Sequence, residues 1–469
     1  MKKAPYLKTL YLQKPLVLIL LIAAVATLPW LGISNLLTET EELEFSVIQS
    51  FLKTGDISLL NTFEAHSTLS RVIVAGFAYF SGEVTPYILR LPSALSFIAL
   101  MGFCFMFFAH RRPVLEAFTS VLILITSFGI YFSSTIFNAY IFPSFLIVGG
   151  IFEMYRWLET RKTWKLVTTW LFWGAAVFEL GWLVLVAPFI SFLVYLLVRK
   201  KPVKEILINP LLMAVPPLLI GTLLFWVLPH SETETFTQCR SLANAECWDS
   251  FSFTGKVVAP LTGFLPWTLL LLIALLSVPF IRKSKETHAY NYPPVLPLDK
   301  VSQYNLLAAI VPLIGFLILP PSVLSEVFFV VCLLFTAIFL SRLIVHLSDM
   351  YPLVVRIFSI GITIASSIVL ILSILVLFKW NSFASILDLF LNENLTNHIT
   401  PNHSGGNLFI DLFLLAGLFV AIVVNTSFLF RRKNLKVLMA TVGMIYALQL
   451  LVAIDILPDL IQKLHLLCL

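Results

Sequence analysis

Charge is what this chain has least of. Asp, Glu, Lys and Arg supply 12% of its 469 residues, about half the ~25% of a soluble domain. So few charges leave too little polar surface to cover a water-exposed globule, and that overrules the multidomain soluble protein its length would suggest. No basic helix or basic-aromatic stripe accompanies the net charge of +6, which argues against a nucleic-acid partner. Cysteine is sparse, at five residues. Cys104 and Cys332 fall in apolar runs and read as small hydrophobes. Cys239 and Cys247 share one polar loop and could pair if it faces an oxidising compartment. No second Cys/His pair stands nearby to complete a metal site.

What fills the space is apolar. Hydrophobic residues make up 59% of the chain, Phe alone counts 41, and mean hydropathy is +0.96. A hydrocarbon core about 30 Å thick takes roughly 20 apolar residues per helix. Runs that meet or approach this lie at 15–33, 86–109, 113–132, 138–157, 165–181, 183–198, 207–228, 259–281, 304–319, 322–343, 353–378, 408–429 and 435–454. The expectation is an all-α polytopic membrane protein of about thirteen transmembrane helices. The first run is long and lacks a small-residue cleavage site, so it reads as a permanent helix rather than a signal peptide.

Loop charge tests this count. If every run spans, 24 of the 31 Lys and Arg fall in alternate loops, which positive-inside orientation places in the cytoplasm. The N-terminus is then cytoplasmic, while loop 34–85 and the C-terminus are extracytoplasmic. That loop carries an amphipathic stretch, Glu44 to Lys53, with Phe45, Ile48, Phe51 and Leu52 at helical spacing. A second apolar stretch, Leu69 to Phe80, suits an interfacial helix.

The densest acidic cluster, Glu39, Glu41, Glu42 and Glu44, follows the first run. Carboxylates this crowded could hold a divalent metal, bind a cationic group or supply a general base. They could equally be the solvated start of a helix, where acidic residues are favoured. Glu179, flanked by Phe178 and Leu180, is costly at membrane depth and should face a cavity, a partner or the interface.

Thr54-Gly55-Asp56, Phe63-Glu64-Ala65-His66 and Arg90-Leu91-Pro92-Ser93-Ala94-Leu95 follow that cluster in order. Downstream come Pro143, Tyr155-Arg156-Trp157-Leu158-Glu159 and Gly263-Phe264-Leu265-Pro266-Trp267-Thr268. Together they resemble the GT-C membrane glycosyltransferases, the aminoarabinose-transferase and protein-mannosyltransferase group, over roughly residues 10–285. The resemblance makes 1–285 a GT-C-like transmembrane module that includes loop 34–85. Residues 286–469 become further transmembrane helices with no separate soluble domain. Departures are specific. The family's acidic pair falls on Thr40-Glu41, or on Glu41-Glu42 with a one-residue shift. Family positions that carry Lys, Asp and Lys become Ala65, Ile141 and Leu180.

What the resemblance implies is sugar transfer at the outer face of the plasma (inner) membrane, from a polyprenyl-phosphate donor to a lipid or protein acceptor. Glu41 is the expected base, with Glu42 and Glu39 behind it. Arg71, Arg90, His66, Glu64 and Glu179 are the expected substrate-binding residues, and a divalent metal stays an open option. The other readings are a non-catalytic assembly subunit on the same scaffold, which the missing cations favour, and a transporter or flippase.

Overall fold

The computed structural model describes residues 5–32, 39–56, 68–135, 140–227, 253–272, 300–319, 322–350, 352–391, 408–430 and 434–452. Among these, all regular structure is helical. The helices are α1 (Pro5–Thr27), α2 (Glu39–Thr54), α3 (Thr68–Ser81), α4 (Pro86–Ala109), α5 (Val114–Ile125), α6 (Phe128–Thr135), α7 (Ile141–Thr160) and α8 (Thr163–Leu180). They continue with α9 (Val186–Val198), α10 (Val203–Val227), α11 (Phe253–Gly263), α12 (Lys300–Ile318), α13 (Val323–Met350), α14 (Pro352–Leu391), α15 (Leu408–Phe430) and α16 (Asn434–Leu451). Each apolar run coincides wholly or partly with such a helix.

Eight helices of the described residues are long and apolar enough to cross a bilayer. A ninth span results if α5 and α6, bent by 64°, are taken together. The expected thirteen therefore exceeds what helix length and hydropathy establish. Shorter apolar helices, Trp182–Val198 and Val437–Leu451, account for part of the difference, while Leu69–Ser81 is the short helix expected in loop 34–85. The turn after α8 is made at Gly181, whose φ of 80° suits glycine and lets a short helical turn, Trp182–Leu185, lead into α9.

The chain packs as two compact units, Met1–Leu343 and Ile344–Leu469. In the first, α1 lies on α4, α4 on α5 and α7, α7 on α8, α8 on α10, and α9 on α12. Phe107 of α4 stacks on Phe152 of α7 with centroids 4.2 Å apart. Cys104 and Cys332 are buried free thiols, as their apolar surroundings suggested. In the second unit α14, α15 and α16 pack together. Asn425 of α15 donates to Ser359 and Thr363 of α14, and Thr441 of α16 donates to Asn425. Such polar contacts hold helices together where lipid offers no hydrophobic drive.

The charged segments between the spans gather as alternation requires. Arg111 after α4 pairs with Glu159 at the end of α7, and Lys165 at the start of α8 pairs with Glu153. Arg161 between α7 and α8 reaches Glu205 at the start of α10. One end of the first unit thus collects the basic segments around Arg111, Arg161 and Lys165. The close crossing of α7 and α8 depends on Gly150, where an added Cβ would sit 2.2 Å from Trp173 Nε1. Gly150→Ala should therefore lower stability by about 1–3 kcal/mol, read as a lower unfolding temperature in detergent. Gly76→Ala on α3, where a Cβ meets nothing within 4 Å, should raise it by roughly 0.5–1 kcal/mol.

Candidate functional site

The acidic run folds as the first turn and a half of α2, and helical geometry divides it. Glu41, Glu44 and Ile48 share one face and are fully buried, while Glu42 on another face is exposed. The apolar stripe expected from Phe45, Ile48, Phe51 and Leu52 packs against Val74, Ala75 and Ala78 of α3 and Leu89 of α4. Glu41 and Glu44 extend that stripe by one turn, so two carboxylates enter an otherwise apolar contact.

Arginines on the facing helices meet them. Arg90 of α4 donates from Nε to Glu41 Oε1 and from Nη2 to Oε2, both at 2.8 Å. Its Nη1 donates to the carbonyl of Leu31, just beyond α1, at 2.8 Å. Arg71 of α3 donates from Nε to Glu44 Oε2 at 2.6 Å and from Nη2 to Oε1 at 2.9 Å. All four side chains are at most 1% exposed. Burying an ion costs several kcal/mol, and only excellent geometry with further hydrogen bonds offsets that. Paired, two-point guanidinium–carboxylate contacts supply that geometry. They fasten α2 to α3, to α4 and to the end of α1.

A third carboxylate serves the same assembly. Glu179, 1% exposed at the end of α8, accepts from the backbone N–H of Leu69 at 2.7 Å and from Ser70 Oγ at 3.1 Å. Those groups open α3, so Glu179 caps that helix from another part of the chain and satisfies donors left over by its first turn. The partner that burial required is thus a helix terminus.

Of the residues the sequence nominated, the structure joins Glu41 to Arg90, Arg71 to Glu44, and Glu179 to the start of α3. Glu42 stands apart on the exposed face. Glu39 opens α2, but its side chain, together with Glu64, Ala65, His66, Cys239 and Cys247, lies outside the described residues. Among the described residues no three His, Cys, Asp or Glu gather as a metal site would need. Within the acidic run, Glu41 and Glu44 are each bound by an arginine, and Glu42 turns to another side. Ile141 is buried at the start of α7 and Leu180 ends α8.

Sequence reasoning named Glu44 only as a member of the acidic cluster, and it passed over the carbonyl of Leu31. It also passed over Lys256 of α11, which donates to the carbonyls of Phe316 and Leu319 at the end of α12. The Gly263 to Thr268 segment fits into the bend between α5 and α6. Trp267 Nε1 donates to Thr126 Oγ1 at 3.0 Å, and the N–H of Phe128 donates to the carbonyl of Leu265 at 3.1 Å.

Helix length and hydropathy define a polytopic helical membrane protein. The particular solved structures it resembles are of ArnT from Cupriavidus metallidurans. With ArnT bound to undecaprenyl phosphate the TM-score is 0.62 at 16% identity, over 92% of this chain and 77% of that one. With the apo state it is 0.57 at 14% identity, over 94% and 78%. At such identity the likeness shows the fold. No family model and no curated protein matches the sequence.

Removing one partner of a buried pair strands a charge. Arg71→Met should cost about 3–5 kcal/mol, whereas Glu42→Gln should stay within about 0.5 kcal/mol of the parent. Thermal unfolding of both variants in detergent checks this, and equal losses would contradict the division of α2 into a buried and an exposed face.

Proposed function

We propose that the protein is a membrane glycosyltransferase that takes a sugar from a polyprenyl-phosphate donor and passes it to a lipid or protein acceptor. The observation that carries this reading is the fold likeness, which takes in nearly the whole chain and extends to a structure holding undecaprenyl phosphate. The end of the first unit that collects the basic loops is assigned to the cytoplasm by the positive-inside rule. The α2 to α4 platform then sits at the outer face, where a carrier lipid would present its sugar.

In this chemistry a carboxylate takes a proton from the acceptor hydroxyl or amine as it attacks the anomeric carbon, and the lipid phosphate leaves. Glu41 suits that role less well than expected. Both its oxygens are engaged by Arg90 and it is closed to solvent. Its part is to position α2. Glu42, exposed one residue on, and Glu39 are the carboxylates we assign to the acceptor side.

A second reading is favoured by one observation. Arg71 and Arg90, the arginines expected to meet a phosphate, both bind glutamates of the chain itself. Together with Ala65, Ile141 and Leu180 at family acid and base positions, this supports a non-catalytic assembly subunit on the same scaffold.

Mass analysis of lipid-linked glycans and envelope polymers, in cells with and without the gene, separates the two. Under the transferase reading deletion removes a defined glycan mass, the wild type restores it, and Glu42→Gln with Glu39→Gln cuts transfer by at least about 100-fold while the protein still inserts. Full restoration by that double variant would favour the scaffold.

A further inference from the structure

The turns α7–α8 and α9–α10 concentrate positive charge at one end of the first unit. The first holds Arg161 and Lys162, and the second holds Arg199, Lys200, Lys201 and Lys204, with no acid among them. Glu205, at the start of α10, joins the two turns. Its Oε2 lies 3.3 Å from Arg161 Nη2 and 3.4 Å from Lys201 Nζ. Lys162, Lys200 and Lys204 each stand next in sequence to a member of that group. They are exposed and, among the described residues, make no ion pair. α8 and α10 leave these turns packed side by side, and Trp170 Nε1 of α8 donates to the carbonyl of Leu212 of α10 at 2.9 Å. Beyond the cations each helix carries an apolar strip at helical spacing. Trp164, Val167 and Leu171 form it on α8, and Leu207, Leu211 and Val215 on α10, all at least 45% exposed.

Each part of this surface selects a property of its ligand. Six cations around one carboxylate repel one another and draw in anions. A dissolved anion would meet that charge and leave the apolar strips unmatched. A zwitterionic headgroup brings an ammonium that the lysines repel. An anionic phospholipid meets both parts, with its phosphate at the turns and its chains along α8 and α10. The level in the membrane agrees. Lys165 Nζ lies 3.5 Å from the centre of the Trp164 ring, and tryptophan is enriched where a span meets the headgroups. The positive-inside rule assigns this end to the cytoplasmic leaflet, whose anionic lipids attract clusters of about four to eight Lys and Arg. We propose that the joined turns α7–α8 and α9–α10 are a docking surface for an anionic phospholipid of that leaflet. This inference is independent of the transferase reading.

Native mass spectrometry on the full chain, stripped of lipid in detergent, tests it. The probes are phosphatidylglycerol, phosphatidylethanolamine and phosphatidylcholine with identical chains. Phosphatidylglycerol should be retained about tenfold over either zwitterionic lipid. Lys162→Gln combined with Lys204→Gln should cut that preference at least about threefold. Lys14→Gln combined with Lys300→Gln removes the same charge from two other exposed cations that the positive-inside rule puts on the same side, and should leave the preference unchanged. Equal retention of the three lipids by the wild type would overturn the proposal. So would equal losses in the two double variants, which would show a diffuse attraction to the whole basic side. Chain-free glycerophosphoglycerol at the same concentration should displace little, and full displacement would overturn the lipid source. All four substitutions fall on exposed side chains, so both variants should fold as the wild type does.

Discussion

Two guanidinium–carboxylate pairs, sealed from solvent among apolar side chains, decide how the first loop of this protein is built. A charge in that setting is tolerable only with its counter-charge in contact. Arg71 and Arg90 therefore fix where α2 lies with the specificity of a lock rather than the looseness of a greasy contact. The apolar stripe of α2 would bind α3 and α4 at several registers. The pairs Glu44–Arg71 and Glu41–Arg90 select one. Glu179 completes the assembly by tying the start of α3 to the end of α8.

This changes how a row of acids at a membrane surface is to be understood. Four glutamates in six positions look like one electrostatic object in sequence, but a helix turns each successive side chain by about 100°. Glu41 and Glu44 become structural, and Glu42 faces away from them. Chemistry, if α2 carries it, belongs to the face that the pairs leave exposed. The pairs supply rigidity behind it, which is what a site holding two reactants needs.

The fold was largely legible in the sequence, since hydropathy and loop charge are additive along the chain. The apolar runs became helices, and the basic segments around Arg111, Arg161 and Lys165 gathered at one end of the first unit. The number of spans was harder to read. Hydropathy cannot separate a full crossing from a bent pair such as α5 and α6 or a short helix such as α9. The likeness of fold was foreshadowed by Arg90-Leu91-Pro92-Ser93-Ala94 and the Gly263 to Thr268 segment, each of which proves to be a packing element. The partnerships of the nominated residues were misread. Arg90 and Glu41 were both nominated, as enzyme and ligand-binding groups, and the structure bonds them to each other. A signal did exist. Glu41 and Glu44 continue the heptad-like stripe of Ile48, and Arg71 continues that of Val74 and Ala78. Charges on an apolar stripe announce a buried pair, whereas single-residue reasoning treats each as a free reagent.

The central claim is that Glu41 and Arg90 act on each other. A double-mutant cycle with Glu41→Leu, Arg90→Met and the combined variant, followed by thermal unfolding in detergent, measures this directly. The account predicts a coupling energy near 3 kcal/mol, with the double variant closer to wild type than either single change. Additive losses would show the two side chains to be independent, and α2 would then be held by its apolar stripe alone.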